Sequence, residues 1–233
     1  MKDYRMRYVS SLLYLIGIPL IIVFGYTILE NRMYNLISML VVVILLLPFF
    51  FSFEKKESTS RELVLLSVMV SLAVLSRMAF FFLPGMNPMA AIAIISGIYL
   101  GKDFGFMIGA LSPLISNMLF TQGPWTPFQM FAYGFVGFLA GLPFIAKYAK
   151  EKQWLLWLLG ILLGCLFSGM MDVWTVLSAD GVFTIKRYLM IILQSFPMTV
   201  NYIIANILFL SVLNRPMGDR IERIKQKYGI EVG

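Results

Sequence analysis

Long apolar runs separated by short polar breaks dominate the chain. Eight of them stand out, at about 8–28, 34–53, 62–83, 88–100, 104–120, 128–147, 154–177 and 188–213. A helix needs roughly 20 apolar residues to cross a hydrocarbon core of about 30 Å. The runs are continuous rather than alternating, so the pattern predicts membrane-spanning helices and not a β-barrel. The run 88–100 stands apart, because a rise of about 1.5 Å per residue gives it only about 20 Å of helix. It is expected to be tilted, partial or completed by its loops, as backbone lining a cavity can be.

The breaks divide the chain. Before Phe53-Glu-Lys-Lys-Glu-Ser-Thr-Ser-Arg61 lie two plain apolar runs, and after it six runs carry glycine, proline and polar residues at depth. The fold class is therefore read as an all-α integral membrane protein, a six-helix core preceded by two extra transmembrane helices. In this division 1–53 is a two-helix N-terminal extension, 54–61 a cytoplasmic linker, 62–213 the six-helix core and 214–233 a basic cytoplasmic tail. The tail, with Met217-Gly-Asp-Arg-Ile-Glu-Arg-Ile-Lys-Gln-Lys227, is helix-like and is expected at the membrane surface.

The most specific polar break is Gln122-Gly-Pro-Trp-Thr-Pro127. Its prolines fix φ and restrict the residues before them, Gly123 supplies the turn, and Pro127 can open the next helix. Trp125 is thereby held rigidly, and an aromatic belt would explain a lone tryptophan. It explains the neighbouring Asn117, Gln122, Thr126, Gln129 and Tyr133 less well. A flat aromatic among several amides suits an uncharged or zwitterionic polar ligand. On the last run, Pro197 should kink the helix. Gln194 lies nearer the outside than Asn201 and Asn206 and is assigned to the site, whereas the two asparagines suit interhelical hydrogen bonds.

Composition and charge sharpen this picture. Hydrophobic residues make up 60% and charged residues 13% of the 233 residues, and mean hydropathy is +0.84. With so little charge the chain cannot build an ordinary solvated surface. With the N-terminus inside, fifteen of the 19 Lys and Arg fall on inside segments, including Lys102, Lys147, Lys150, Lys152, Arg215 and Arg220. Arg32, Lys186 and Arg187 fall outside. This bias predicts cytoplasmic N- and C-termini in a multi-pass plasma-membrane protein. The net charge of +7 is absorbed by cytoplasmic loops, so no nucleic-acid partner is expected.

Two charges interrupt apolar runs, Arg77 and Asp172. Each costs roughly 2.5–3.5 kcal/mol at the bilayer centre on insertion scales. Interfacial anchoring, an outward-facing cavity, or pairing with each other would each account for them. Small residues also recur, as Ser67-x-x-x-Ser71, Gly97, Gly101, Gly105, Gly109, Gly134, Gly137 and Gly141. Such faces let helices approach closely, within the chain or against a separate membrane subunit. Gly101-Lys-Asp-Phe-Gly105 reads as a tight cytoplasmic turn, without the spacing of a phosphate loop.

The chain has no histidine, one cysteine (Cys165), and no paired acidic metal motif. No metal site, cofactor or catalytic residue is assigned, and an intramembrane enzyme is disfavoured. No Walker motif is present either, so any ATP hydrolysis belongs to other subunits.

The core resembles the substrate-binding S component of energy-coupling factor (ECF) vitamin transporters. The resemblance is carried by Leu75-Ser-Arg-Met-Ala79, Pro84-Gly-Met-Asn-Pro88, the stretch from Ile94-Ile-Ser-Gly through Gly101-Lys-Asp-Phe-Gly105 to Leu111, and Gln122-Gly-Pro-Trp-Thr-Pro-Phe-Gln-Met130. It covers about residues 62–213. It implies a vitamin-like small molecule bound at the outer face, a transmembrane coupling subunit and two ATP-hydrolysing subunits as partners, and membrane lipid around them. The loop around residues 84–88 would close over the ligand. The last of these segments is similar to one branch of the family and points to cobalamin or a related corrinoid.

On this reading the ligand lies among Arg77, Asn87, Asn117, Gln122, Trp125, Thr126, Gln129, Tyr133, Asp172 and Gln194. Partner docking falls to Ser67, Ser71 and Ala73, where the family usually has an alanine-based motif. The two extra N-terminal helices are a second departure. The alternative reading is a solitary ion-coupled transporter, for which the chain offers only Asp172 and no clear internal repeat. If Trp125 stacks on the ligand, Trp125→Ala should weaken ligand binding at least tenfold, about 1.4 kcal/mol. Unchanged affinity in a titration would remove that role.

Overall fold

A computed structural model describes residues 12–20, 60–180 and 183–229. Within them the chain is helical throughout, without a strand. The helices are α1 (Ser60–Ala79), α2 (Met89–Leu100), α3 (Lys102–Leu119), α4 (Thr126–Ala140), α5 (Pro143–Glu151), α6 (Gln153–Asp180) and α7 (Ile185–Tyr228). Among the described residues three helices are long and apolar enough to cross a membrane, α1, α6 and α7. The bent pair α4–α5 would make a fourth. The run expected at 34–53, most of that at 8–28 and most of the linker 54–61 lie outside the described residues. Near the N-terminus a short π-helical turn, Leu13–Gly17, leads to Ile18, which packs with Phe106, Ala110, Met130 and Phe138 of α3 and α4.

The short run became the centre of the bundle. α2 is apolar on every face and is buried along nearly its whole length, from Met89 to Leu100, as such a helix must be. It packs against α1, α3, α4, α5 and α7. Its 12 residues span about 18 Å, and the loop at 80–88 leads into it. Gly101, with φ of 87°, ends α2 and starts α3 in one residue. The expected turn is thus shorter than Gly101 to Gly105, and Gly105 already lies inside α3.

Gly105 has another task. A Cβ there would strike the carbonyl oxygen of Gly137 on α4, and a Cβ on Gly137 would strike that of Gly105. Gly97 of α2 meets the same Gly137 carbonyl. Three backbones therefore touch with no side chain between them, the close approach that small residues allow within a membrane bundle.

The apolar run expected at 128–147 is broken. α4 ends at Ala140, and α5 leaves it at 70°. The cause is Gly141-Leu142-Pro143: Leu142 sits at φ −62°, ψ 130°, the extended region that a following proline favours. The last run, by contrast, is longer than expected. α7 passes through Pro197 and Pro216 and carries the basic segment with it to Tyr228. Asn214, Gly218 and Ile221 continue its buried stripe, and Gly218 packs directly on the Tyr99 ring at the end of α2. Lys225 Nζ donates to Tyr99 O at 3.0 Å, Lys150 pairs with Glu222 at 3.1 Å, and Arg61 donates to Tyr228 O at 2.8 Å. The cationic residues Arg61, Lys150 and Lys225 thus gather at one end of the bundle.

Gly137→Val should destabilise the purified protein by about 1–3 kcal/mol through overpacking. Thermal unfolding in detergent reads this directly. An unchanged melt would mean that α3 and α4 can separate freely.

Candidate functional site

At the end of the bundle opposite Arg61 and Lys225 lies a cavity of about 430 Å³. It is lined by the C-terminal end of α1, the loop 80–88, and faces of α4, α6 and α7, and is open on one side. Aromatic rings form much of its wall: Phe80, Phe81, Tyr133, Phe167, Trp174 and Tyr202. Tyr133 and Phe167 lie 4.3 Å apart by centroid, and Phe167 meets Tyr202 edge-on at 5.2 Å. The polar atoms come from Arg77, Asn87, Gln129, Ser168, Asp172, Thr175 and Ser195.

The wall built by α1, α3 and α4 is organised by Asn117, which is buried. Arg77 Nη1 donates to Asn117 Oδ1 at 2.8 Å. Asn117 Nδ2 donates to Gln129 Oε1 at 2.8 Å and to Thr126 Oγ1 at 3.0 Å. Thr126 Oγ1 donates to Gln122 Oε1 at 3.0 Å, and Gln122 Nε2 to Leu114 O at 3.0 Å. The Arg77 guanidinium also lies over the Phe120 ring, 5.1 Å from its centroid, a favourable cation–π geometry.

The opposite wall belongs to α6 and α7. Asp172 is buried, and its Oδ2 accepts from Ser195 Oγ at 2.8 Å. Ser168 and Thr199 join the same two helices through their hydroxyls at 2.7 Å. Deeper in the bundle, Asn206 Nδ2 donates to Gly160 O at 3.0 Å. Asn201 reaches instead to the loop, donating to Pro84 O at 3.3 Å. Gly85, at φ 76°, packs against Asn201 and Met198. Asn87 Oδ1 accepts from Met89 N at 2.9 Å, fixing the start of α2.

Five of the residues assigned from sequence line this cavity together: Arg77, Asn87, Gln129, Tyr133 and Asp172. Asn117, Gln122 and Thr126 stand behind them as the hydrogen-bonded support of Arg77 and Gln129. Trp125 also stands back, meeting Trp174 edge-on at 5.9 Å, so its route to a ligand runs through Trp174. Gln194 is exposed and is not part of the lining; the next residue, Ser195, is. Arg77 and Asp172 share the cavity but bond to Asn117 and Ser195 rather than to each other.

Sequence reasoning singled out Asp172 but missed its companions on the α6 face, Phe167, Ser168, Met171 and Thr175, and the α7 face of Ser195, Met198 and Tyr202. Their spacing of three and four residues is that of a single helical face, so the stripe running from Asp172 was legible.

On α1, Ser67 and Ser71 are exposed and donate back to Leu63 O and Ser67 O, each at 2.8 Å. With Val64, Val68, Leu72 and Leu75 they line a shallow apolar groove of about 400 Å³. Ala73 is on the other face, buried in the core.

A model of the ECF-type riboflavin transporter, S component family matches residues 57–219. No curated protein and no solved structure matches the chain.

Asn117→Leu keeps the branching at Cγ but takes away the hydrogen-bond partner of Arg77 and of Gln129 Oε1. The expected loss of stability is at least about 1–3 kcal/mol, measured as thermal unfolding in detergent. A variant as stable as the parent would show that the network is dispensable.

Proposed function

The chain belongs to the ECF-type riboflavin transporter S component family, and from that premise we propose that it captures a riboflavin-sized micronutrient in the cavity between α4, α6 and α7. The family is one of transport subunits rather than enzymes. The reading is carried by a ligand-sized cavity lying within the span that the family model matches. The volume of about 430 Å³ falls in the usual range of about 300–1,000 Å³ for small-molecule pockets. A tricyclic heteroaromatic with a short side arm is of that size. A corrinoid, with its macrocycle and nucleotide loop, is several times bulkier and would seat only in part, so the smaller ligand is preferred here.

The cavity faces outward in this reading, and Arg61, Lys150 and Lys225 mark the cytoplasmic end, in line with the positive-inside bias. The captured molecule passes inward with a membrane coupling subunit and two ATP-hydrolysing subunits. The exposed small-residue groove at Ser67 and Ser71 is the face proposed for the coupling subunit. Close helix approach there requires small side chains, and the two serines supply them.

The test is a titration of the purified full chain in detergent with riboflavin, read by quenching of flavin fluorescence, and with cyanocobalamin, read by calorimetry. Saturable, stoichiometric riboflavin binding that cyanocobalamin does not displace is the expected result. Corrinoid binding without flavin binding would return the ligand to the corrinoid class. No bound small molecule, together with no coupling or ATPase subunit on co-purification, would favour an ion-coupled transporter built around Asp172.

A further inference from the structure

The two walls of the cavity differ in hydrogen-bonding character, and the difference follows from Arg77. A guanidinium can only donate. Its bond to Asn117 Oδ1 leaves Asn117 Nδ2 to donate in turn, and Gln129 must then present its oxygen to Asn117. Among the described residues, Gln129 Nε2 and the remaining Arg77 donors are left without a protein partner. The α1–α4 wall therefore offers donors to whatever fills the cavity. On the α6–α7 wall Ser195 occupies one oxygen of Asp172, and a carboxylate can accept several bonds. That wall offers the carboxylate's remaining acceptor capacity and its negative charge, beside one donor, Trp174 Nε1, which has no partner among the described residues. Tyr202 lines the cavity within electrostatic reach of both Arg77 and Asp172.

We infer that the ligand spans the cavity in one orientation, with an acceptor-rich ring edge on Arg77 and Gln129 and an uncharged, hydroxyl-bearing arm on Asp172. This deepens the reading above and rests on it. Covering either charge with a ligand that leaves it unmatched is costly. A molecule with an acceptor edge at one end and hydroxyls at the other answers both walls, while the aromatic lining suits a flat ring between them. An anionic arm would meet Asp172 with like charge.

Three flavins separate the parts: riboflavin, lumiflavin (the ring without its hydroxylated arm), and flavin mononucleotide (the arm ending in phosphate). Each is titrated against the full chain, Asp172→Asn and Gln129→Glu, with thermal melts confirming that each variant is folded. Asp172→Asn keeps a hydrogen-bonding oxygen near Ser195 but removes the charge. The parent should bind riboflavin at least tenfold more tightly than either lumiflavin or flavin mononucleotide. In Asp172→Asn the penalty against flavin mononucleotide should shrink at least threefold, while lumiflavin affinity stays within about twofold. Gln129→Glu keeps the acceptor for Asn117 and turns the free donor into an acceptor, so all three flavins should weaken at least tenfold. Equal binding of the three flavins by the parent, or Asp172→Asn shifting lumiflavin as much as flavin mononucleotide, would overturn the orientation and leave the function standing. A parent that binds no flavin would overturn both.

Discussion

The cavity depends on one hydrogen bond, from Arg77 to Asn117. Arginine has no acceptor, so this bond sets the direction of every bond behind it, through Gln129 and Thr126 to Gln122 and the Leu114 carbonyl. The network ties the end of α1 to α3, to the loop after it and to the start of α4. It also holds a partly buried cation that, among the described residues, has no carboxylate partner. The ring of Phe120 on one side and an amide oxygen on the other make that tolerable. Remove the arginine and Asn117 is free to turn; remove the asparagine and the charge has no anchor.

The backbone beneath the network is rigid for a different reason. Gly97, Gly105 and Gly137 bring α2, α3 and α4 into direct main-chain contact, and interfaces of that kind leave no slack for sliding. The facing unit, α6 with α7, is joined by side-chain bonds such as Ser168 to Thr199 and Asn206 to Gly160. Between the two units sits the cavity, and the loop at 80–88 runs along its edge with Gly85 seated against Met198 and Asn201 of α7. A cavity so placed receives its cation, Arg77, from one unit and its carboxylate, Asp172, from the other.

Much of this was legible in the sequence, and the failures have local causes. Continuous apolar runs gave the helical class, and the shortness of the run at 88–100 set it apart without showing that it would be the buried helix on which most others pack. Pro127 marked the start of α4. The break between α4 and α5 was hidden because hydrophobicity continues across it, although Gly141 and Pro143 carried the signal. Gln122, Thr126 and Asn117 drew attention as polar residues in an apolar setting, and that setting demands that they be satisfied. Sequence cannot say whether a ligand or a neighbouring side chain does so; here they satisfy one another and the arginine. Gln194 and Ser195 differ by about 100° around a helix. That angle is fixed only by how α7 packs on α6, which no local pattern records.

The separation of Arg77 from Asp172 is the least expected feature and the most informative. Two opposite charges lining one cavity would ordinarily close on each other. Any ligand would have to compete with such a closure. Here each charge is tethered on its own wall, Arg77 by Asn117 and the Phe120 ring, Asp172 by Ser195. Neutral tethers satisfy part of each group without cancelling its charge, so the field across the cavity survives. A cavity held open in this way has already met the cost of ordering its polar groups, so a complementary molecule would keep more of its interaction as affinity. The same tethers explain why so many polar residues lie behind the cavity rather than in it. They hold two charges apart, and that separation sets the polarity of what can enter.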